Sequence, residues 1–153
     1  MYIRANDGAS FQLEVVGYRY PELPDVEYDS NWLCMSMSAT LPEGSWSVTD
    51  PFLLTYEVAK LADWLDAIAT HSETQDEMGF VEPNISFEVV RRAMGQSCLR
   101  VYFRAECEPP WAVTNETGGA DIVAEFALAE IDLRLAAESL RTQLSSYPQR
   151  AAC

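Results

Sequence analysis

A chain of 153 residues with 48% hydrophobic and 22% charged residues has the composition of one globular domain with its own core. Its formal net charge of −14 excludes the broad basic surface that nucleic acids and anionic membranes select. No apolar run approaches the roughly 18 residues a membrane-spanning helix needs, and the opening Met1–Ser10 lacks the apolar segment of a secretory signal, so a cytoplasmic location is expected.

In chain order, Met1 to Ile3 start a first strand and Asn6-Asp7-Gly8 is a turn signal. Phe11, Leu13 and Val15 alternate with Gln12 and Glu14, the pattern of a half-buried strand. Gly17 breaks the parity, and Tyr18 and Tyr20 continue on the opposite face, as a bulge allows. Pro21–Ser30 reads as a loop, kept wet by Glu22, Asp25, Glu27 and Asp29. Asn31–Leu41 is a strand with Leu33, Met35, Met37, Ala39 and Leu41 on one face and Trp32, Cys34, Ser36, Ser38 and Thr40 on the other. Pro42-Glu43-Gly44 reverses the chain, with Gly44 placed to take a positive φ. Trp46 and Val48 lie on the return strand, which is expected to end at Thr49-Asp50-Pro51.

Thr55 is the expected N-cap of the first helix, with Glu57 in its first turn. Leu54, Val58, Leu61, Leu65 and Ile68 recur at helical spacing, Trp64 flanks them, and Asp63 and Asp66 lie off the stripe. The helix is expected to end near Thr70-His71. Ser72–Met78 is a second acidic loop, carrying Glu73, Asp76 and Glu77. Ile85, Phe87 and Val89, a turn at Gly95-Gln96, and the alternating run Leu99 to Cys107 make an antiparallel hairpin with a dry face and an arginine-bearing wet face. On that face, pairing of Arg91, Arg92, Arg100 and Arg104 with Glu88 and Glu106 is expected ahead of anion binding. Pro109-Pro110-Trp111 ends the run, Asn115–Gly119 is a loop, and Ile122, Ala124, Phe126 and Leu128 mark a last strand. Asp132 is the N-cap of a second helix with Leu133, Ala136, Ala137, Leu140 and Leu144 on its stripe; Pro148 stops it and Gln149–Cys153 reads as a loose tail after an ordered 2–148.

Strands, helix, strands, helix, with clean alternation in most strands, predict a single α+β domain: a mostly antiparallel curved sheet with two amphipathic helices packed against it. Catalytic signatures are missing. There is no glycine-rich phosphate loop, no Gly-x-Ser-x-Gly and no His-Glu-x-x-His. A single histidine, His71, and a single lysine, Lys60, leave few candidate bases, so a non-enzyme without cofactor or metal is expected. Cys34, Cys98, Cys107 and Cys153 lack metal-ligand spacing and read as structural thiols.

Charge is uneven along the chain. Tyr20–Val90 holds 14 Asp and Glu against one basic residue, Lys60. Such a surface keeps a protein soluble and steers a basic protein partner.

The ordered set Asn31-Trp32-Leu33, Pro42-Glu43-Gly44-Ser45-Trp46, Thr49-Asp50-Pro51, Val81-Glu82-Pro83-Asn84, Arg100-Val101-Tyr102-Phe103, Pro109-Pro110-Trp111 and Pro148-Gln149-Arg150 resembles the WapI-type immunity proteins of bacteria over Ile3 to Arg150. The resemblance implies a small acidic cytoplasmic protein that neutralises a cognate toxin domain delivered by a neighbouring cell, a transfer-RNA-cleaving ribonuclease in the namesake system. Together with the charge it nominates Glu22, Asp25, Glu27, Asp29, Asp63, Asp66, Glu73, Asp76 and Glu77 as the partner-binding face. Two other readings compete. One is a small-ligand or interaction module with Met35 and Met37 lining an apolar pocket. The other is a carboxylate-based metal enzyme at His71, Glu73 and Asp76. A homodimer through Trp111 or an edge strand is a further association to consider.

Overall fold

The computed structural model describes residues 1–112 and 121–151. The expected loop at Asn115–Gly119 and the thiol of Cys153 lie outside the described residues. The elements are β1 (Tyr2–Arg4), β2 (Ser10–Tyr18), β3 (Trp32–Leu41), β4 (Gly44–Leu54), α1 (Thr55–Ala69), β5 (Glu77–Met78), β6 (Ile85–Val90), β7 (Cys98–Phe103), β8 (Ile122–Ala127) and α2 (Leu133–Ser146). The architecture is α+β with antiparallel strands and two helices. The strands are divided between two four-stranded sheets, ordered β1-β2-β3-β4 and β5-β6-β7-β8. Period-two alternation reports which face of a strand is dry but not which sheet it joins.

One core connects both sheets and both helices. The Phe11 ring of β2 meets Phe87 of β6 at 5.9 Å and Phe103 of β7 at 5.8 Å, each in a tilted or edge-on arrangement. The α1 stripe of Val58, Leu61 and Leu65 is fully buried. Trp64 joins the core rather than flanking it: its ring faces Phe87 and its indole N–H donates to the Gln75 carbonyl at 2.7 Å. Asp132 caps α2 as expected, accepting from the Leu135 amide at 2.9 Å.

The bulge expected at Gly17 is present, with the β2–β3 register shifting between Val15 and Gly17. At the β3–β4 reversal Gly44 has φ +154°, and a β-carbon there would lie 3.1 Å from the Trp111 ring. Trp111 packs edge-on against Trp46, whose indole N–H donates to the Cys107 carbonyl.

Three local expectations are corrected. First, β4 does not stop at Thr49-Asp50-Pro51 but runs to Leu54. It is an edge strand, where a missing N–H is tolerated, and the register shifts beside Pro51 so that Phe52 turns inward and is buried. Second, Thr55 is the first residue of α1 and not its cap. Its hydroxyl donates to Asn31 Oδ1, and one of the helix-end donors, the buried Leu54 amide, is satisfied by Glu57, which accepts from it at 3.0 Å. Third, Cys107 leaves the strand for a 3-10 turn, Ala105–Cys107, entered through Ala105 at φ 50°.

Glu57 is a tie between the halves of the fold. It is only 6% exposed, and its second carboxylate oxygen accepts from the Val81 amide at 2.7 Å. One buried carboxylate therefore pins β4, the start of α1 and the segment leading into β6. Glu57→Ala orphans two donors and should lower unfolding stability by about 2–4 kcal/mol, read as a urea midpoint shift at unchanged m-value. The same substitution at exposed Glu138 should stay within about 0.5 kcal/mol of the parent; equal effects at both sites would show that the tie contributes nothing.

Candidate interaction surface

The nine nominated carboxylates fall into two groups that the fold treats differently. Glu22, Asp25, Glu27 and Asp29 lie on the exposed 21–29 loop beside the start of α1. The loop also exposes Leu23, Val26 and Tyr28, at 37%, 43% and 48%, so apolar and acidic side chains interleave along it. Tyr28 and Glu27 lie close enough to Tyr56 of α1 to act on its hydroxyl, whose pKa is raised chiefly by partial burial and then by Tyr28, Glu57 and Glu27. Among the described residues, Glu22, Asp25 and Asp29 form no ion pair.

The second group sits along the later turns of α1 (Asp63, Asp66) and on the segment that follows it into β5 (Glu73, Asp76, Glu77). At 1.5 Å per residue Asp66 is about 15 Å beyond Tyr56 along the axis. Here three of the five carboxylates, Asp63, Asp66 and Asp76, have ion-pair partners. Arg141 of α2 reaches Asp63 at 2.9 Å and Asp66 at 3.5 Å, Arg134 approaches Asp66 at 3.8 Å, and Arg91 holds Asp76 at 2.7 Å. Glu77 joins Asp63, Lys60 and Trp64 in lining a shallow cleft, and Glu73 is exposed. The structure thus brings Asp63 and Glu77 together and sets the 21–29 loop apart from them.

The loop is fixed at both ends by residues that sequence reading did not single out as functional. Asn31 is buried, and its side-chain amide makes four hydrogen bonds. Nδ2 donates to the carbonyls of Glu27 and Arg150, while Oδ1 accepts from Thr55 Oγ1 and from the Arg150 amide. The Arg150 guanidinium lies 3.5 Å over the Tyr18 ring and donates to the carbonyls of Tyr20 and Pro21 at 3.3 Å. Arg150, expected in a loose tail, is therefore held. The available signal was the pairing of Asn31-Trp32-Leu33 with Pro148-Gln149-Arg150 in one ordered motif set.

Elsewhere the arginines of the second sheet pair across strands. Arg100 meets Glu125 at 3.0 Å and Glu88 at 3.8 Å, Arg92 meets Glu125 at 3.2 Å, and Arg104 meets Asp121 at 3.2 Å. Glu106 instead accepts from Asn84. Met35 and Met37 are fully buried core residues and not the lining of a pocket. His71 follows α1 at φ 55°, a left-handed position past the helix end, and is exposed. Among the described residues no three His, Cys, Asp or Glu side chains converge to hold a metal ion, and no helix is long and apolar enough to cross a membrane. Burial pushes the Cys107 thiol up to about 12, so it stays protonated and unreactive near neutral pH.

The molecule is thus an acidic α+β protein with an exposed loop of mixed acidic and apolar side chains, tied at both ends, and with most of its arginines paired or stacked internally. The model of the immunity protein WapI-like family matches residues 2–148 of this chain, which belongs to that family. Comparison with curated proteins returned no match, and comparison with solved structures returned none.

The Arg100 hydrogen bond holds the Glu125 carboxyl below its ordinary range, against a smaller opposing effect of burial and with help from Cys98 and Arg92. A lowered folded-state pKa stabilises the protein above the unfolded value of about 4.3 and is lost as pH falls through the folded one. Arg100→Ala should move the Glu125 titration midpoint, followed by carboxyl NMR, upward toward that ordinary value and flatten the acid limb of the stability curve. An unmoved midpoint would assign the shift to another neighbour.

Proposed function

We propose that the chain is an immunity protein that binds and neutralises a cognate toxin domain in the cytoplasm, acting by occlusion and without catalysis. Family membership supports the immunity role. The single observation that carries the binding face is the exposed 21–29 loop, where Glu22, Asp25 and Asp29 stand outside the ion-pair network that engages Asp63, Asp66 and Asp76. Unpaired carboxylates on a net −14 chain repel one another, a cost that a basic partner relieves. Leu23, Val26 and Tyr28 supply the apolar contact area that charge alone lacks.

A nuclease domain is the partner chemistry this surface fits, because a site that holds phosphates is basic and a carboxylate-bearing loop can occupy it. Glu73, Asp76, Glu77, Asp63 and Asp66 form the outer region of the face and steer the approach.

Co-expression with toxin domains encoded beside this gene should restore growth for one of them. Against that domain, Asp25→Lys, Glu27→Lys and Asp29→Lys together should cut the association rate by about 10- to 100-fold at low salt and flatten its ionic-strength dependence. Charge reversal of Asp63 and Asp66 should have the smaller effect. Binding that is unchanged in the triple variant would sink the assignment of this loop.

A further inference from the structure

We infer that Arg150 is a positioning residue for partner binding: it clasps the two ends of the 21–29 loop and holds that loop in its binding shape. The inference rests on the proposed function for what the loop binds, but the clasp itself is a matter of geometry. The guanidinium fixes the start of the loop through the carbonyls of Tyr20 and Pro21. The Arg150 backbone fixes its end, exchanging two hydrogen bonds with the Asn31 side chain at 2.9 Å each. Tyr18 supplies the platform under the guanidinium, and its hydroxyl donates to the Pro148 carbonyl. Tyr147 packs edge-on against Tyr18 and donates to the Val16 carbonyl at 3.0 Å, so the strap is seated along its length.

A loop that carries several carboxylates tends to open, because opening separates like charges. Short-range bonds oppose this, such as Ser30 N–H to the Val26 carbonyl and Asn31 N–H to the Tyr28 carbonyl, Tyr28 packs edge-on against Trp32, and the β2–β3 pairing, continued by the Arg19 N–H to the Trp32 carbonyl at 2.8 Å, joins the strands at the loop's two ends. Tying both ends to one residue as well lowers the freedom that a partner would otherwise have to freeze on binding. Arg150 is suited to this over lysine because its planar fork reaches two carbonyls while stacking on an aromatic ring.

Hydrogen exchange on the full chain, without any partner, reads the clasp directly. Arg150→Ala should speed exchange of the Ser30 and Asn31 amides about tenfold while leaving the Met35 and Met37 amides of β3 unchanged, and a chain ending after Pro148 should do the same. Unchanged loop exchange in both variants would overturn the inference. Association with the toxin domain identified by growth rescue supplies a readout whose sign decides. Arg150→Ala makes the protein more acidic, so steering alone predicts faster capture of a basic partner, whereas loss of the clasp should slow it about three- to tenfold. Capture at the parental rate or faster would overturn the positioning role and leave the immunity function standing. Failure of every toxin domain to be neutralised would remove the proposed function, while the exchange experiment would still decide whether Arg150 orders the loop.

Discussion

The side-chain amide of Asn31 is the point on which the acidic surface depends. It is one of few buried polar groups, and it uses two donors and two acceptor positions on four groups of three residues, Glu27, Thr55 and Arg150. Through them it joins the 21–29 loop, the first residue of α1 and the strap that follows α2. A buried amide of this kind adds little net free energy while satisfied, but each bond left unmade costs about 1–3 kcal/mol. That asymmetry makes the site specific. Aspartate would remove both donors and bury a charge, and leucine would strand Thr55 Oγ1 and the Arg150 amide. The loop conformation, the start of the helix and the path of the C-terminal segment are therefore one cooperative choice.

Glu57, within the first turn of α1, complements this junction. Where Asn31 joins the loop to the helix, Glu57 joins the helix to both sheets, through the amides of Leu54 and Val81. The first turn of α1 is thus a junction of the molecule, where Glu57 satisfies the helix-end N–H of Leu54 and Thr55 ties the helix to Asn31. Packing then extends from this junction along Val58, Leu61 and Leu65 to the aromatic contact of Trp64 with Phe87. The 21–29 loop is attached beside this junction, through Asn31.

Local features were legible in the sequence wherever short-range chemistry decides them. Gly17 marks a bulge, Gly44 a reversal closed over by Trp111, Asp132 a cap, and the stripes on α1 and α2 the buried faces. Features set by long-range partners were not. Division into two sheets depends on which strands pair, and alternation is silent on that. Pro51 looks like a strand terminator until the strand is known to lie at an edge. For the candidate site, the acidic loop itself was visible as a run of carboxylates, but its distinction from the second acidic group was not. That distinction is made by Arg141, Arg134 and Arg91, which lie far from their partners along the chain.

The distribution of charge can now be read as a consequence of the fold. Between Tyr20 and Val90 the chain carries 14 acids and one lysine, a local imbalance that the sequence alone leaves unresolved. Folding brings arginines from α2 and from the second sheet onto Asp63, Asp66, Asp76 and Glu88. Each such exposed pair is worth at most about 1 kcal/mol, so their main effect is to neutralise the field locally. The 21–29 loop receives no such arginine at Glu22, Asp25 or Asp29. Of the cations beside its ends, Arg19 stacks on the Tyr20 ring, and Arg150 directs its hydrogen bonds at backbone carbonyls and its plane at Tyr18. On this loop carboxylates without an ion pair therefore stand beside the exposed Leu23, Val26 and Tyr28. A surface built only for solubility would spread its charge, because repulsion falls with distance and screening confines it to about 8–10 Å at physiological salt. Carboxylates without an ion pair, grouped on a clasped loop, favour one partner's encounter over many.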